Sequence, residues 1–258
     1  MDYANASAIV TGGASGLGEA TARLLSHRGI HVVLLDRDDM RGPKVAAEIG
    51  GYFAQTDVTD ADQVIAAIGR AEERAPLRIA VNCAGVPSLG RTVGRDGEYG
   101  SAHDLAMFRR VVDINLTGTF NVTRLAATAM SRHQPDEEGA RGAIVNTTSI
   151  AAFDGQIGQI AYTASKAGIV GMTLNFARDL AVIGVRVNTI APGLIETPIY
   201  GSGPEADAMK AHLVKDAVFP KRLGRAAEYA RMAWELIDNP YMNGEVVRVD
   251  GAIRLPPK

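Results

Sequence analysis

Tyr162 and Lys166 stand four residues apart in the run AYTASKAGIV, residues 161–170, among small and apolar neighbours. On a helix that spacing puts both side chains on one face, so a phenol and an ammonium meet over a single turn. A free phenol, with a pKa of about 10, is a poor base at neutral pH. A neighbouring ammonium favours the phenolate and lowers that value. The pair therefore suits a reaction in which a hydroxyl must lose its proton while its carbon loses a hydride. Ser149, thirteen residues upstream, is expected to donate to the substrate oxygen as negative charge develops there. Asn115, in VVDINLTGTFNV, is the candidate to hold a water that links Lys166 to solvent. Each of these has a plain structural reading as well: a tyrosine and a lysine snorkelling from a helix, a serine capping one, an asparagine bonding to backbone. The joint spacing is what argues for chemistry.

Hydride chemistry needs an acceptor, and the N-terminal segment suits one. The first apolar run leads into TGGASGLG, with glycines at 12, 16 and 18 where a helical pattern begins. Glycine lets main-chain amides approach a phosphate, and the helix N-terminus adds positive partial charge. Asp36 ends the second apolar run, eighteen residues after Gly18, where the dinucleotide-binding pattern wants an acid on the adenosine ribose. A carboxylate there repels a 2′-phosphate, so NAD is expected rather than NADP. Arg37 argues the other way, because a guanidinium can recognise that phosphate, but the glycine loop itself carries no basic residue. Asp57 and Val58 end the third run and are expected to take the adenine amino group and pack on its ring. The alternative reading of Asp57 is the cap of a following helix.

These residues must be carried by elements that converge. Short β-branched runs (SAIVTG, HVVLLD, YFAQTD, RIAVNCAG, GAIVNTTS, VRVNTIAPG, EVVRVDG) alternate with segments of helical period over 16–28, near Val45, and over 104–130, 161–182 and 226–237. Such alternation predicts an α/β fold with a mostly parallel sheet covered by helices on both faces. In open sheets of this kind ligands bind beyond the carboxyl ends of the strands, where Asn82, Ser149 and APGLIET all fall. Residues 197–220 read as an irregular segment able to close over a ligand. No linker or repeat marks a boundary, so a single domain over 1–258 is expected.

Composition excludes several other functions. A formal net charge of −2, from 27 basic and 29 acidic residues, offers no footprint for nucleic acid. Cys83 is the only cysteine and the five histidines show no ligand spacing, so no disulfide framework and no metal are expected. No run is apolar enough to span a membrane. The first residues, MDYANASAIVTGG, leave no room for a cleavable leader, and a cytoplasmic protein is expected.

Together TGGASGLG, NCAG, Asn115, Ser149 and YTASK resemble the classical short-chain dehydrogenase/reductase family over essentially the whole chain. The resemblance implies a seven-stranded, doubly wound Rossmann sheet in three α/β/α layers, and Asn115, Ser149, Tyr162 and Lys166 as a catalytic tetrad. It also implies a homotetramer built through long helices and the C-terminal strand. For NAD it implies contacts from Gly12, Ser15, Gly16, Leu17, Gly18, Asp36, Asp57, Val58, Asn82, Ala84, Gly85, Tyr162 and Lys166. Pro192, Gly193, Ile195 and Thr197 would hold the nicotinamide carboxamide. Cys83 departs from the pattern, since the family usually has a second asparagine there. Within the family, NLTGTFNVTRL, AAFDGQIGQIAYTASKAGIVGMTLNFARDL, FPKRLG, NGEVVRVDGAIR and the insertion QPDEEGARG are most similar to type II 3-hydroxyacyl-CoA dehydrogenases, a group also described as type 10 17β-hydroxysteroid dehydrogenases. That group oxidises short and 2-methyl-branched 3-hydroxyacyl-CoA thioesters with NAD. Gln156 and Gln159, between Ser149 and Tyr162, would line the substrate pocket or stand as solvated loop amides. Three alternatives stay open: a 3-oxoacyl-carrier-protein reductase using NADPH, a dehydrogenase of steroids or other secondary alcohols, and a non-catalytic subunit of a complex such as one that processes tRNA.

Overall fold

The alternating apolar runs assemble into one parallel sheet. The computed structural model describes residue 3, residues 5–201 and residues 203–257. Its elements, in chain order, are β1 (Ser7–Thr11), α1 (Gly16–His27), β2 (His31–Asp36), α2 (Gly42–Glu48), β3 (Tyr52–Gln55), α3 (Ala61–Glu72), β4 (Leu77–Asn82), α4 (Leu105–Val112), α5 (Gly118–Ser131), β5 (Gly142–Thr147), α6 (Ile160–Asp179), β6 (Val185–Pro192), β7 (Ile195–Glu196), α7 (Pro204–Leu213), β8 (Gly224–Arg225), α8 (Ala226–Asp238) and β9 (Val246–Val249). Seven strands form a sheet in the order β3-β2-β1-β4-β5-β6-β9, and every neighbouring pair is parallel. The order turns back between β1 and β4, which opens a crevice at their carboxyl ends.

Both faces of the sheet are buried, as the uninterrupted apolar strands require. Successive side chains of β1 point to opposite faces. Ala8 and Val10 pack with Leu25 of α1 and with Ala233 and Leu236 of α8. Ile9 packs on the other side with Val64 and Ile68 of α3, Val122 and Ala126 of α5, and Phe176 of α6. Each fully buried valine, leucine or isoleucine side chain contributes about 1.5–3 kcal/mol. Arg186 on β6 ties this layer to the end of α8, donating to the carbonyls of Leu236 at 2.9 Å and Met242 at 2.8 Å.

Three local features differ from the sequence expectation. The helix α3 follows β3, and Asp60 rather than Asp57 caps it, accepting from the amides of Asp62 at 2.9 Å and Gln63 at 3.1 Å. The long helix expected over 104–130 is broken by one π-helical turn, Asp113–Thr117, between α4 and α5. Such turns insert a residue into the helical ladder and recur at functional sites. Within the segment 197–220, α7 forms, and β7 pairs with β8 on its far side in a two-stranded ribbon.

Candidate active site

A cleft of about 460 Å³ lies over the carboxyl ends of β1, β2, β4, β5 and β6. Its floor is the glycine loop between β1 and α1. Gly12 has φ +64°, and a Cβ there would fall 2.9 Å from the amide nitrogen of Ala84. A Cβ on Gly18 would lie 2.2 Å from the Gly12 carbonyl oxygen, so the loop closes on itself only without side chains. Thr11 holds β4 against this loop, its hydroxyl accepting from the amides of Cys83 and Ala84, both at 3.1 Å. Ser15 has the extended backbone of a helix cap, yet its hydroxyl makes no capping bond. The first amides of α1 and that hydroxyl therefore face the cleft together, the arrangement that binds a phosphate. Thr197 arches over from the opposite wall, 3.3 Å from where a Gly16 Cβ would sit.

Asp36 stands at one end of the cleft. Its two carboxylate oxygens accept from the Ala14 amide and from the Asp38 amide, each at 3.0 Å, so its position is fixed from both sides. The two nearby arginines are both engaged with carboxylates. Arg37 lies 3.7 Å from Asp57, and Arg41 donates to Glu19 at 3.0 Å and to the Ala14 carbonyl at 3.1 Å. The amide of Thr59 holds the Asp57 carboxyl below its usual range, against a smaller opposing effect of burial, with the Thr59 hydroxyl and Arg37 acting in the same direction. Val58 is fixed from behind, its carbonyl accepting from Asn121 at 2.9 Å. Gly118 lets α5 approach it, since a Cβ there would lie 2.5 Å from the valine side chain.

At the other end Ser149, Tyr162 and Lys166 line one wall. Ser149 follows β5 and caps a short 3-10 turn, its hydroxyl accepting from the Ala151 amide at 3.1 Å. Burial raises the Tyr162 phenol above its ordinary value, and a hydrogen bond with Ser149 partly offsets this. Lys166 is only 4 % exposed, and burial brings its ammonium down to about 8. Its Nζ donates to the Thr147 carbonyl at 2.9 Å and lies 5.8 Å from the Tyr162 ring centre. The ammonium is thus anchored on β5 while standing over the Tyr162 ring, the same-face meeting that the spacing predicts. Asn115 sits in the π turn. Its side chain clamps Val86, accepting from that amide at 2.8 Å and donating to that carbonyl at 3.0 Å, and it also donates to Ser165 at 3.1 Å.

Seventeen of the residues singled out from the sequence line this cleft: Gly12, Ser15, Gly16, Leu17, Gly18, Asp36, Asp57, Val58, Ala84, Gly85, Ser149, Tyr162, Lys166, Pro192, Gly193, Ile195 and Thr197. Four do not. Asn115 lies behind Gly85, where a Cβ would meet its Oδ1 at 3.2 Å and the Lys166 Nζ at 3.4 Å. Asn82 is buried inward, donating to Asn146 at 2.9 Å and Thr123 at 3.2 Å. Gln156 donates to the Pro256 carbonyl at 3.1 Å, and Gln159 to Gln156 at 3.3 Å. Conversely, Thr147, Cys83 and Tyr200 line the cleft, though the sequence alone gives none of them a role there. Burial raises the Tyr200 phenol, and the neighbouring Tyr162 adds to the effect. Tyr200 lies in the segment whose structure the sequence left open, so no spacing signalled it. Among the described residues, no group of three or more His, Cys, Asp or Glu is placed to hold a metal ion.

The fold and the cleft define a dinucleotide-binding oxidoreductase with a tyrosine and a lysine on one helix. Residues 6–207 match the short chain dehydrogenase family, and the chain belongs to that family. It is 50 % identical over 253 residues to the human 3-hydroxyacyl-CoA dehydrogenase type-2, covering 97 % of this chain and 95 % of that one. With the Drosophila melanogaster protein of the same name it shares 48 % over 256 residues, 98 % and 99 % of the two chains. The crystal structure of 3-hydroxyacyl-CoA dehydrogenase type-2 from Mycobacterium avium superposes with a TM-score of 0.93 at 46 % identity, covering 98 % of both chains. The chain is therefore an enzyme that uses a nicotinamide nucleotide and acts on a small-molecule substrate. The glycine cradle, the free α1 amides and the carboxylate of Asp36 fit such a nucleotide. No helix among the described residues is long and apolar enough to cross a membrane.

Proposed function

We propose that this enzyme oxidises short-chain and 2-methyl-branched 3-hydroxyacyl-CoA thioesters reversibly to the 3-keto thioesters, with NAD. The observation that carries the reading is one cleft with Ser149, Tyr162 and Lys166 at one end and Asp36, its flanking arginines already paired, at the other. NAD supplies the hydride acceptor. Gly12, Gly16 and Gly18 with the α1 amides take its phosphates, Asp36 its adenosine ribose, and Asp57 with Val58 its adenine. Pro192, Gly193, Ile195 and Thr197 border the nicotinamide end.

Tyr162 is the general base that takes the 3-hydroxyl proton. Ser149 donates to the same oxygen and orients it, and hydrogen bonding at that oxygen strengthens as charge develops. Burial holds the phenol protonated in the chain alone, so the base needs positive charge beside it. Lys166 contributes that charge from its anchor on Thr147. Asn115 acts by clamping Val86 and Gly85 against the Lys166 side of the cleft, and a water at its carbonyl end would lead the proton onward. The fixed carboxylate of Asp36 supports NAD over NADP, since it would repel a 2′-phosphate, and of the two nearby guanidiniums Arg41 is already hydrogen-bonded to Glu19 while Arg37 stands 3.7 Å from Asp57.

A homotetramer belongs to the same proposal. Phe120 on α5 and Leu174 on α6 are 44 % and 47 % exposed in the single chain, and β9 forms an edge of the sheet. Light scattering giving a monomer would remove that part alone. The activity itself is tested by initial rates with NAD and with NADP on 3-hydroxybutyryl-CoA, its 2-methyl analogue and a 17β-hydroxysteroid. Fast NAD-dependent turnover of the thioesters is expected. A tenfold or greater preference for NADPH would instead favour a reductase such as the 3-oxoacyl-carrier-protein reductase of Thermotoga maritima, 32 % identical over 254 residues. Turnover of the steroid alone would keep the chemistry and discard the substrate.

A further inference from the structure

Beneath the cleft a fully buried phenol faces the strand that anchors Lys166. Tyr229, on α8, has no exposed surface. Its Oη lies 2.6 Å from the Thr147 hydroxyl and 3.5 Å from the Cys83 thiol. The Thr147 hydroxyl in turn donates to the Asn82 carbonyl at 2.5 Å. A carbonyl cannot donate, so the single threonine proton belongs to that bond, and Tyr229 must be the donor to Thr147. The Cys83 sulfur lies 3.5 Å from the phenol oxygen and 3.6 Å from the Thr147 hydroxyl; with the threonine proton already given to Asn82, the thiol is the donor, and the phenol is its nearer acceptor. The result is a one-way chain of donors, from Cys83 to Tyr229 to Thr147 to Asn82, which joins the carboxyl ends of β4 and β5 to a helix on the outer layer. Thr147 is also the residue whose carbonyl accepts the Lys166 ammonium at 2.9 Å.

We propose that Tyr229 is a positioning residue for the dehydrogenation, holding Thr147 through its hydroxyl so that the Thr147 carbonyl fixes Lys166 relative to Tyr162. A core aromatic has no packing reason to carry this hydroxyl: phenylalanine fills the same volume, and a buried phenol without its partner costs free energy. Among the described residues the ammonium donates to the Thr147 carbonyl alone, so its height in the cleft follows from where that carbonyl stands. The titratable groups around Lys166 are Tyr162 on its own helix, Cys83 after β4, Tyr229 behind Thr147, and Tyr200 across the cleft beside Tyr162. Burial holds Cys83 and Tyr229 neutral, raising both above their ordinary values, so neither supplies a charge that would replace the carbonyl.

The inference rests on the role given to Lys166 above but not on the identity of the substrate, and it is read with any alcohol that the wild-type enzyme oxidises. Tyr229→Phe is expected to lower kcat by about five- to tenfold, the worth of one hydrogen bond, with the substrate KM little changed. The acid limb of the kcat–pH profile should move upward, because a displaced ammonium supports the phenolate less. In the protein without cofactor, the 13C resonance of the Lys166 ε-carbon should titrate at lower pH than in wild type. Thr147→Val should reproduce both shifts, Thr147→Ser should recover most of the loss, and the double variant Tyr229→Phe/Thr147→Val should be no worse than either single one, since both cut the same chain. Unmoved kcat and Lys166 titration in Tyr229→Phe, or multiplying losses in the double variant, would overturn the proposal. Should Tyr229→Phe not fold, the contrast between Thr147→Val and Thr147→Ser decides it: equal activity and equal titration of Lys166 refute it. Failure of the acyl-CoA reading would show instead in the wild-type enzyme, as absence of thioester turnover.

Discussion

Burying Lys166 costs stability, and the cost can be measured. Its ammonium is brought from an ordinary value of 10.5 down to about 8 by burial. At 1.36 kcal/mol for each tenfold change in proton affinity, that corresponds to about 3 kcal/mol of destabilisation when the group is charged. The sign follows from proton binding. Between about 8 and 10.5 the unfolded chain binds the proton and the folded chain does not, so stability rises with pH across that window. The cost is fully present below the folded value and has gone above the unfolded one. Lys166→Met removes the charge and keeps an unbranched apolar stem of similar length. It also strips the Thr147 carbonyl of its donor, a loss of about 1–3 kcal/mol that does not vary with pH. The net change near pH 7 is therefore small, but the difference between variant and wild type should fall by about 2–3 kcal/mol from pH 7 to pH 10, to the detriment of the variant. Urea unfolding of both proteins at the two pH values measures this directly. A difference that stays constant with pH would refute the claim that Lys166 is held charged in a buried site at neutral pH. The same variant should lose nearly all dehydrogenase activity, an instance of a site kept at the expense of stability.

Three further outcomes are expected. Asp36→Ala should weaken NAD binding by about ten- to a hundredfold, the loss of a charge-assisted hydrogen bond, without conferring NADP use, because Arg37 and Arg41 stay paired with Asp57 and Glu19; titration of cofactor fluorescence with each nucleotide checks both halves. Gly18→Ala places a Cβ 2.2 Å from the Gly12 carbonyl oxygen, and should abolish nucleotide binding and lower Tm, read by calorimetry with and without NAD. Asn115→Ala orphans the amide and carbonyl of Val86, and should cost about 2–4 kcal/mol in chemical denaturation on the penalty for two unsatisfied backbone groups, with kcat falling more than KM rises.

Much of the architecture was legible from local pattern. The seven apolar runs, the glycines at 12, 16 and 18, and the acid at 36 are each signals written over a few residues, and each maps onto a strand end or turn of the sheet. Tyr162 and Lys166 share a face of α6 because a helix brings residues four apart together. What the helix could not specify is the carbonyl on which the ammonium rests. Nor could a continuous apolar period over 104–130 report the π turn that carries Asn115, because inserting one residue barely disturbs the pattern while redirecting a side chain into the Val86 loop.

The sequence by itself determined the layers, the glycine loop and the tyrosine–lysine pair on one helix, because these depend on period, glycine and short spacing. Tertiary structure alone decided which of the polar residues meet. Gln156 reaches Pro256 a hundred positions away, and Tyr229 reaches Thr147 across 82, and such contacts leave no periodic trace along the chain. Burial, too, is a property of the assembled layers. It sets Lys166 near 8 and holds the Tyr162 phenol high, whereas spacing alone pointed to a lowered phenol.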